Sequence, residues 1–274
     1  MGLILEKLAD DEVAVAIEDG LVEVCRNWDV WPGVEFRKEA GLQWISSDVP
    51  YPLFNAVLRT RLTGGRAGET IDRLAAGARG RGLPLAWLVS PLTEPADMGE
   101  RLVEKGFQHG PVTIGMAADL DAIEWSEMAP ANLVVEEVRD TEGLRTWRDV
   151  VISVYNFPGF VAGPWLELHE AMGLGPDKPW RHYVGRLGTT PVAAATLFLW
   201  PGSAFLANVA TVPEARQMGI GTAITLRALA EARDRGYRLA TLCSSRMGLG
   251  LYKRLGFCEY SRFMFYTLRG YGAQ

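Results

Sequence analysis

Tyr252 stands four residues ahead of Gly256-Phe257, within the stretch Ser244 to Phe257. A phenol placed there can protonate or hydrogen-bond a departing group. It can equally be an amphipathic ring packed at a helix edge. Upstream lies Phe205 to Ala223, FLANVATVPEARQMGIGTA. The order predicts a buried strand over Phe205 to Val212, a Pro-containing turn, then a glycine loop opening directly into a helix. Gly219 and Gly221 permit a tight turn and close backbone approach to a ligand. Unpaired N–H groups of the loop and first helical turn, backed by the helix dipole, form a cradle for phosphate oxygens.

Several kinds of glycine loop end this way. A P-loop requires Gly-Lys before Ser or Thr, and Gly221 is followed directly by Thr222. A dinucleotide fingerprint requires a third glycine where Ile224 stands, and an acidic residue after the next strand; Leu239 to Leu242 offers none. An ordinary strand-to-helix turn stays open.

Arg216-Gln217-Met218-Gly219-Ile220-Gly221, following a strand that ends Thr-Val-Pro-Glu, resembles the acyl-CoA pyrophosphate loop of GCN5-related N-acetyltransferases (GNAT superfamily). The Ser244 to Phe257 stretch resembles that family's other signature, a short helix with a tyrosine before Gly-Phe. The resemblance spans about Leu133 to Arg269. It implies an α/β (α+β) fold with a central, mostly antiparallel twisted sheet flanked by helices. It also implies acetyl-CoA as acyl donor, no metal, and a small-molecule amine as acceptor. By the same resemblance Arg216, Gln217, Met218, Gly219, Ile220, Gly221 and Thr222 hold the pyrophosphate. Val209, Ala210 and Thr211 pair with the pantetheine arm, which requires the strand to splay from its neighbour, and Tyr252 is the general acid. Ser245 stands where many relatives carry an Asn that touches pantetheine. The residues leave a rival from another class, a non-catalytic acyl-CoA-binding or scaffold protein. A longer acyl group, or a thiol or hydroxyl acceptor, also fits.

An acyl transfer to an ammonium needs a proton acceptor. The central strand carries no Glu, so Glu167, His169 and Glu170, on a helix predicted over Pro164 to Met172, are the candidates. His169 has the best ordinary pKa for the task. A solvent-exposed surface histidine is the alternative. Cys243 ends the strand beside the expected thioester position but has no histidine near it in sequence to generate thiolate. Trp147, Tyr155, Phe157, Phe160 and Trp165 suggest an apolar or aromatic acceptor, or equally an aromatic core.

The elements that must hold these residues repeat. Met98 to Phe107 reads as a short helix running into Gly106-Phe107, about 150 positions before Gly256-Phe257. Asn55 in FNAVLRT sits where Asn208 does in ANVATVP. Leu102 replaces Tyr252, and the loop Thr63 to Gly68 lacks the family spacing, so residues 1–125 read as a degenerate, non-catalytic copy. A linker at 126–132 and a catalytic copy at 133–274 complete the expected tandem. Helices are predicted over Asp10 to Trp28, Glu69 to Arg81 and Gly219 to Arg235, and from Thr141, as N-cap, to Tyr155. Strands are predicted over Val34 to Lys38, Leu42 to Ile45, Phe54 to Thr60 and Leu85 to Ser90. A hairpin is expected around Gly188 to Pro191.

At 274 residues, 48% apolar and 22% charged, the chain can bury full cores. Its net charge of −5 argues against nucleic-acid binding. No stretch approaches the ~18 apolar residues of a membrane span, and no leader pattern opens the chain. Glu6 stands where a myristoylation signal wants Ser or Thr. A cytoplasmic monomer or homodimer is expected, with Cys25, Cys243 and Cys258 reduced.

Overall fold

The computed structural model describes residues 8–63, 65–125 and 129–269. In chain order it runs α1 (Asp10–Arg26), β1 (Val34–Glu39), β2 (Leu42–Ser47), β3 (Ala56–Thr60), α2 (Ala67–Gly80), β4 (Leu85–Val89), α3 (Met98–Glu104) and β5 (Gln108–Asp119). It continues with β6 (Leu133–Glu137), α4 (Thr141–Tyr155), α5 (Ala162–Met172), β7 (Trp180–Leu187), β8 (Thr190–Leu199) and β9 (Ala204–Thr211). Last come α6 (Ile220–Asp234), β10 (Leu239–Ser244), α7 (Leu249–Arg254) and β11 (Cys258–Leu268). The order β-β-β-α-β-α-β thus occurs twice, from β1 to β5 and from β7 to β11.

Two local expectations change. The N-cap of α4 is Asp140, not Thr141: its carboxylate accepts the Gly143 N–H at 2.8 Å. A β-region backbone at Asp140 aims that carboxylate at the orphan amides of the first turn. β3 begins only at Ala56, because Pro52–Phe54 forms a 3-10 turn. Asn55 closes that turn, accepting from Ser47 N–H and donating to Val49 O.

Contacts gather the described residues into two compact units. One comprises those up to Gly20 with Gly115–Tyr260; the other comprises Leu21–Ile114 with those from Ser261 onward. This grouping differs from a division along the chain at 126–132. β11, last in sequence, pairs antiparallel with β4 (Met264↔Val89 to Leu268↔Leu85) inside the unit built from the first half. β5 from Gly115 onward belongs to the unit built from the second half. Ser126, which opens the expected linker, lies outside the described residues, as do the two residues after it.

In the second-half unit β6, β7, β8 and β9 pair antiparallel in succession, and β9 pairs parallel with β10. α4 and α6 both pack on β7 to β9. His182 meets Trp147 of α4, while Tyr183, its neighbour on the strand, lies under Arg227 of α6. Since successive strand residues face opposite ways, the two helices cover opposite faces. α6 therefore buries Ile224, Leu226, Ala228, Leu229 and Ala232 against the sheet. Fixing the start of α6 against the end of β9 is what positions the site.

In the first-half unit β1–β2 and β2–β3 are antiparallel and β3–β4 parallel. Leu42, Trp44, Val57, Ile71, Trp87 and Leu102 form its core.

Candidate active site

A register break in β9 builds the site. Ala194 pairs with Ala210, but Thr196 pairs with Ala207, so β9 holds one residue more than β8 over this interval. The bulge falls at Asn208–Val209, and Asn208 has φ +51°. A positive φ is uncommon outside glycine, and asparagine is among the residues that tolerate it best. β9 pairs with β10 only at Ala204↔Ala240, Phe205↔Thr241 and Leu206↔Leu242. Beyond Leu206 the two parallel strands part, which is the splay the resemblance requires.

Val212 N–H donates to Val192 O across β8. By strand alternation Ala210 also faces β8, while Val209 and Thr211 turn their backbone groups into the gap. Side chains meet both carbonyls there. The Tyr155 hydroxyl donates to Val209 O at 3.3 Å, and Arg216 Nε donates to Thr211 O at 3.2 Å.

The gap opens into a cleft of about 410 Å³. Its lining includes Val209, Thr211, Arg216, Gln217, Gly219, Ile220, Gly221, Thr222, Ser245 and Tyr252. Two residues expected with them stand apart. Ala210 is buried and pairs with Ala194, as its parity demands, and Met218 turns outward at 47% exposure. Sequence reading did not single out Val154, Gly248, Leu251 or Arg254, which also line the cleft. The helical spacing of Tyr252 from Gly248 was the available signal: a Cβ on Gly248 would sit 3.1 Å from the Tyr252 ring.

After the 3-10 turn Pro213–Ala215, the loop places Gln217 at φ +63° and Gly219 at φ +79°. Gly219 is the N-cap of α6 and makes no side-chain cap, so the first-turn amides are left to the cleft. Arg216 and Arg254 add positive charge at its wall. A Cβ at Gly221 would meet Leu251 Cδ1 at 2.9 Å, so glycine there lets α6 begin close to α7. Uncapped amides, a helix dipole and two arginines make this end of the cleft suited to phosphate oxygens.

Tyr252 is 8% exposed and packs edge-on against Phe257 at 5.7 Å. Burial, and next the neighbouring Tyr155, push its pKa above the ordinary phenol value. It therefore stays protonated. Ser245 Oγ accepts the Gly248 N–H at 3.3 Å, ordering the turn into α7. Tyr155 exposes 45% of its surface, yet its hydroxyl is desolvated against Val209 and its pKa is pushed up to about 12. Burial pushes the Cys243 thiol up to about 12 as well, so it is no ready nucleophile.

His169 is placed differently from either sequence expectation. It is neither a surface residue nor part of the cleft lining, but is 1% exposed. Its Nδ1 donates to Trp165 O at 2.7 Å. Its ring lies 4.5 Å from Trp147, 4.6 Å from Trp165 and 5.1 Å from His182. Burial lowers its pKa to about 4 despite that bond. The α4–α5 aromatic residues divide: Trp147 and Trp165 stack in the core, whereas Tyr155 and Phe160 reach the surface. Glu167 and Glu170 are exposed.

The first-half unit treats its corresponding strand edge otherwise. β3 pairs with β4 at Ala56↔Ala86 and Val57↔Trp87. Further along, Glu94 takes the edge, donating to Thr60 O and accepting from Leu62 N–H. The Trp87 indole donates to Thr60 Oγ1 at 2.9 Å. Asn55 has φ −138°, so the matching of Asn55 with Asn208 by position does not extend to conformation.

The mixed sheet thus parts beside an uncapped glycine-loop helix, with a buried tyrosine lining the same cleft. Residues 147–257 match the acetyltransferase (GNAT) family, and this segment is a GNAT domain. That family transfers acyl groups from coenzyme A thioesters. Among solved structures, the chain is similar to a GCN5-related N-acetyltransferase from Kribbella flavida, at 17% identity and TM-score 0.71, covering 96% of this chain and 95% of that one. One from Sphaerobacter thermophilus aligns at 15% identity and TM-score 0.65, covering 95% and 93%. A tandem GNAT protein from the clavulanic acid biosynthesis pathway aligns at 15% and 0.59, covering 97% and 98%. At such identities these likenesses speak to the fold. No curated protein matches. Among the described residues, no helix is long and apolar enough to cross a membrane.

Proposed function

We propose that the second-half unit transfers an acetyl group from acetyl-CoA to the amine of a small molecule, both held at once. The observation that carries this reading is the gap past Leu206↔Leu242, which turns Val209 and Thr211 toward a cleft ending on the amides of α6. The loop from Arg216 to Thr222 would grip the diphosphate, and the exposed edge of β9 would receive the pantetheine arm. Fixing donor beside acceptor removes several kcal/mol of the barrier.

The amine nitrogen attacks the thioester carbonyl carbon, and the oxygen, gaining negative charge, needs an amide donor at the β9 edge. The C–S bond then breaks and the thiolate leaves. Tyr252, held protonated by burial, donates a hydrogen bond to that sulfur. Its raised pKa disfavours complete proton transfer to a thiol whose ordinary value is about 8.5. In this reading Tyr252 stabilises the departing sulfur, and the proton lost by the amine passes to water. The first-half unit, whose β3 edge is taken by Glu94, serves without chemistry of its own.

The test is calorimetric titration with CoA, followed by thiol release from acetyl-CoA against glycinamide, tyramine, glucosamine and spermidine. Wild type should bind CoA and release it with an amine. Tyr252→Phe should bind alike and turn over at least tenfold more slowly, toward the ~100-fold typical of a lost proton-donating group. Binding without release on any amine would favour an acyl-CoA-binding protein. No binding would end the reading.

A further inference from the structure

A bulge removes hydrogen bonds from a ladder, and the groups left over must find partners elsewhere. At Val209 that partner is a side chain, and the side chain of Asn208 is itself held. Val209 O accepts from Tyr155 on the gap side at 3.3 Å. Asn208 Nδ2 donates to Thr196 Oγ1 at 3.3 Å. Behind Thr196, its hydroxyl shares a 3.0 Å hydrogen bond with His182 Nδ1. Ala195, the β8 residue opposite the bulge, gives its carbonyl to the Trp147 indole at 3.2 Å. Thr196 and His182 are fully buried, so this bracing is insulated from water.

We infer that Tyr155 and Thr196 are positioning residues for acyl transfer, clamping the bulge from its two sides so that the Val209 N–H presents a fixed donor geometry to the thioester carbonyl. The inference rests on the acetyl-CoA reading above. Tyr155 holds the Val209 carbonyl within the gap that receives the donor. Thr196 pins the side chain of the one β9 residue with positive φ. Neither needs to touch substrate. A backbone donor is effective only when it is aimed before the charge develops, and aiming costs hydrogen bonds that the broken ladder does not supply.

The clamp differs from ordinary packing in what its loss would move. Tyr155→Phe keeps an exposed ring and removes one hydroxyl, so the fold should persist. The readout is the infrared stretch of the [1-13C]acetyl-CoA thioester carbonyl, bound and free, which needs no acceptor. In wild type the bound stretch should lie below the free value, reporting a hydrogen bond to the carbonyl. In Tyr155→Phe it should return at least halfway to the free value, with acetyl-CoA affinity within about twofold and thiol release with the best amine down about tenfold. Thr196→Val should behave the same way, and Thr196→Ser, which restores the hydroxyl, should recover wild-type frequency and rate. A wild-type carbonyl frequency and rate in Tyr155→Phe would overturn the inference while leaving the acyl transfer reading intact. So would a rate loss matched by an equal loss of affinity. If wild type itself does not bind acetyl-CoA, the acyl transfer reading falls, and this inference falls with it.

Discussion

Lowering the pH from 7 to 5 should destabilise this protein through a histidine that the sequence offers as a proton acceptor or a surface residue and that the fold buries. His169 has a folded pKa of about 4 against an ordinary 6.5, because burial among Trp147, Trp165 and Trp180 disfavours the imidazolium. The sign follows from proton counts. Below pH 6.5 the unfolded chain takes up a proton at His169 that the folded chain refuses until about pH 4. The unfolded state binds more protons in that window, so stability falls as pH falls. Full stability is present above pH 6.5. The two pKa values give a loss of about 2 kcal/mol by pH 5 and about 3 kcal/mol by pH 4. His182, lowered by burial, then by His169 and by Arg181, adds to the loss in the same direction. Urea denaturation at pH 7 and pH 5, followed by tryptophan fluorescence, measures it. His169→Asn can keep the bond to Trp165 O but does not titrate. It should be less stable than wild type at pH 7, for lost packing, yet should lose about 2 kcal/mol less between pH 7 and pH 5. A variant whose stability falls as steeply as wild type would refute the argument, for the proton uptake would then lie elsewhere.

Two further outcomes bear on the cleft. Gly219→Ala places a Cβ at φ +79°, which should cost about 1 kcal/mol in denaturation and weaken CoA binding about tenfold by calorimetry, because the loop must shift. Unchanged CoA affinity would show that the amides beyond Arg216 do not grip it. Because the Tyr252 pKa is raised by burial and by Tyr155, thiol release should show no fall between pH 7 and pH 9.5. Loss of activity with a midpoint inside that range would remove Tyr252 as the protonated donor.

Much of the cleft lining was legible because it is built from neighbours in sequence. Gly219 and Gly221 announce a turn that only small residues allow, and the next residues begin α6. Tyr252 lies one helical turn beyond Gly248, so both share one face of the segment that lines the cleft. His169 was misplaced for a different reason. Its surroundings come from β7 and from the stacked tryptophans of α4 and α5, and helical spacing does not say how deep a helix sinks. Ala210 sits among cleft residues in sequence, yet one step along a strand turns it to the opposite side.

The glycine loop, the helix it opens and the repeated strand–helix order could be read from the residues in order. Each follows from short-range sterics and periodicity. Where β9 leaves β10, that Asn208 bulges, which side chains brace it, and that β11 pairs within the unit of the first half emerge only in the folded chain. Those depend on pairing between distant segments, where one residue of register changes which groups face the cleft and which face the core.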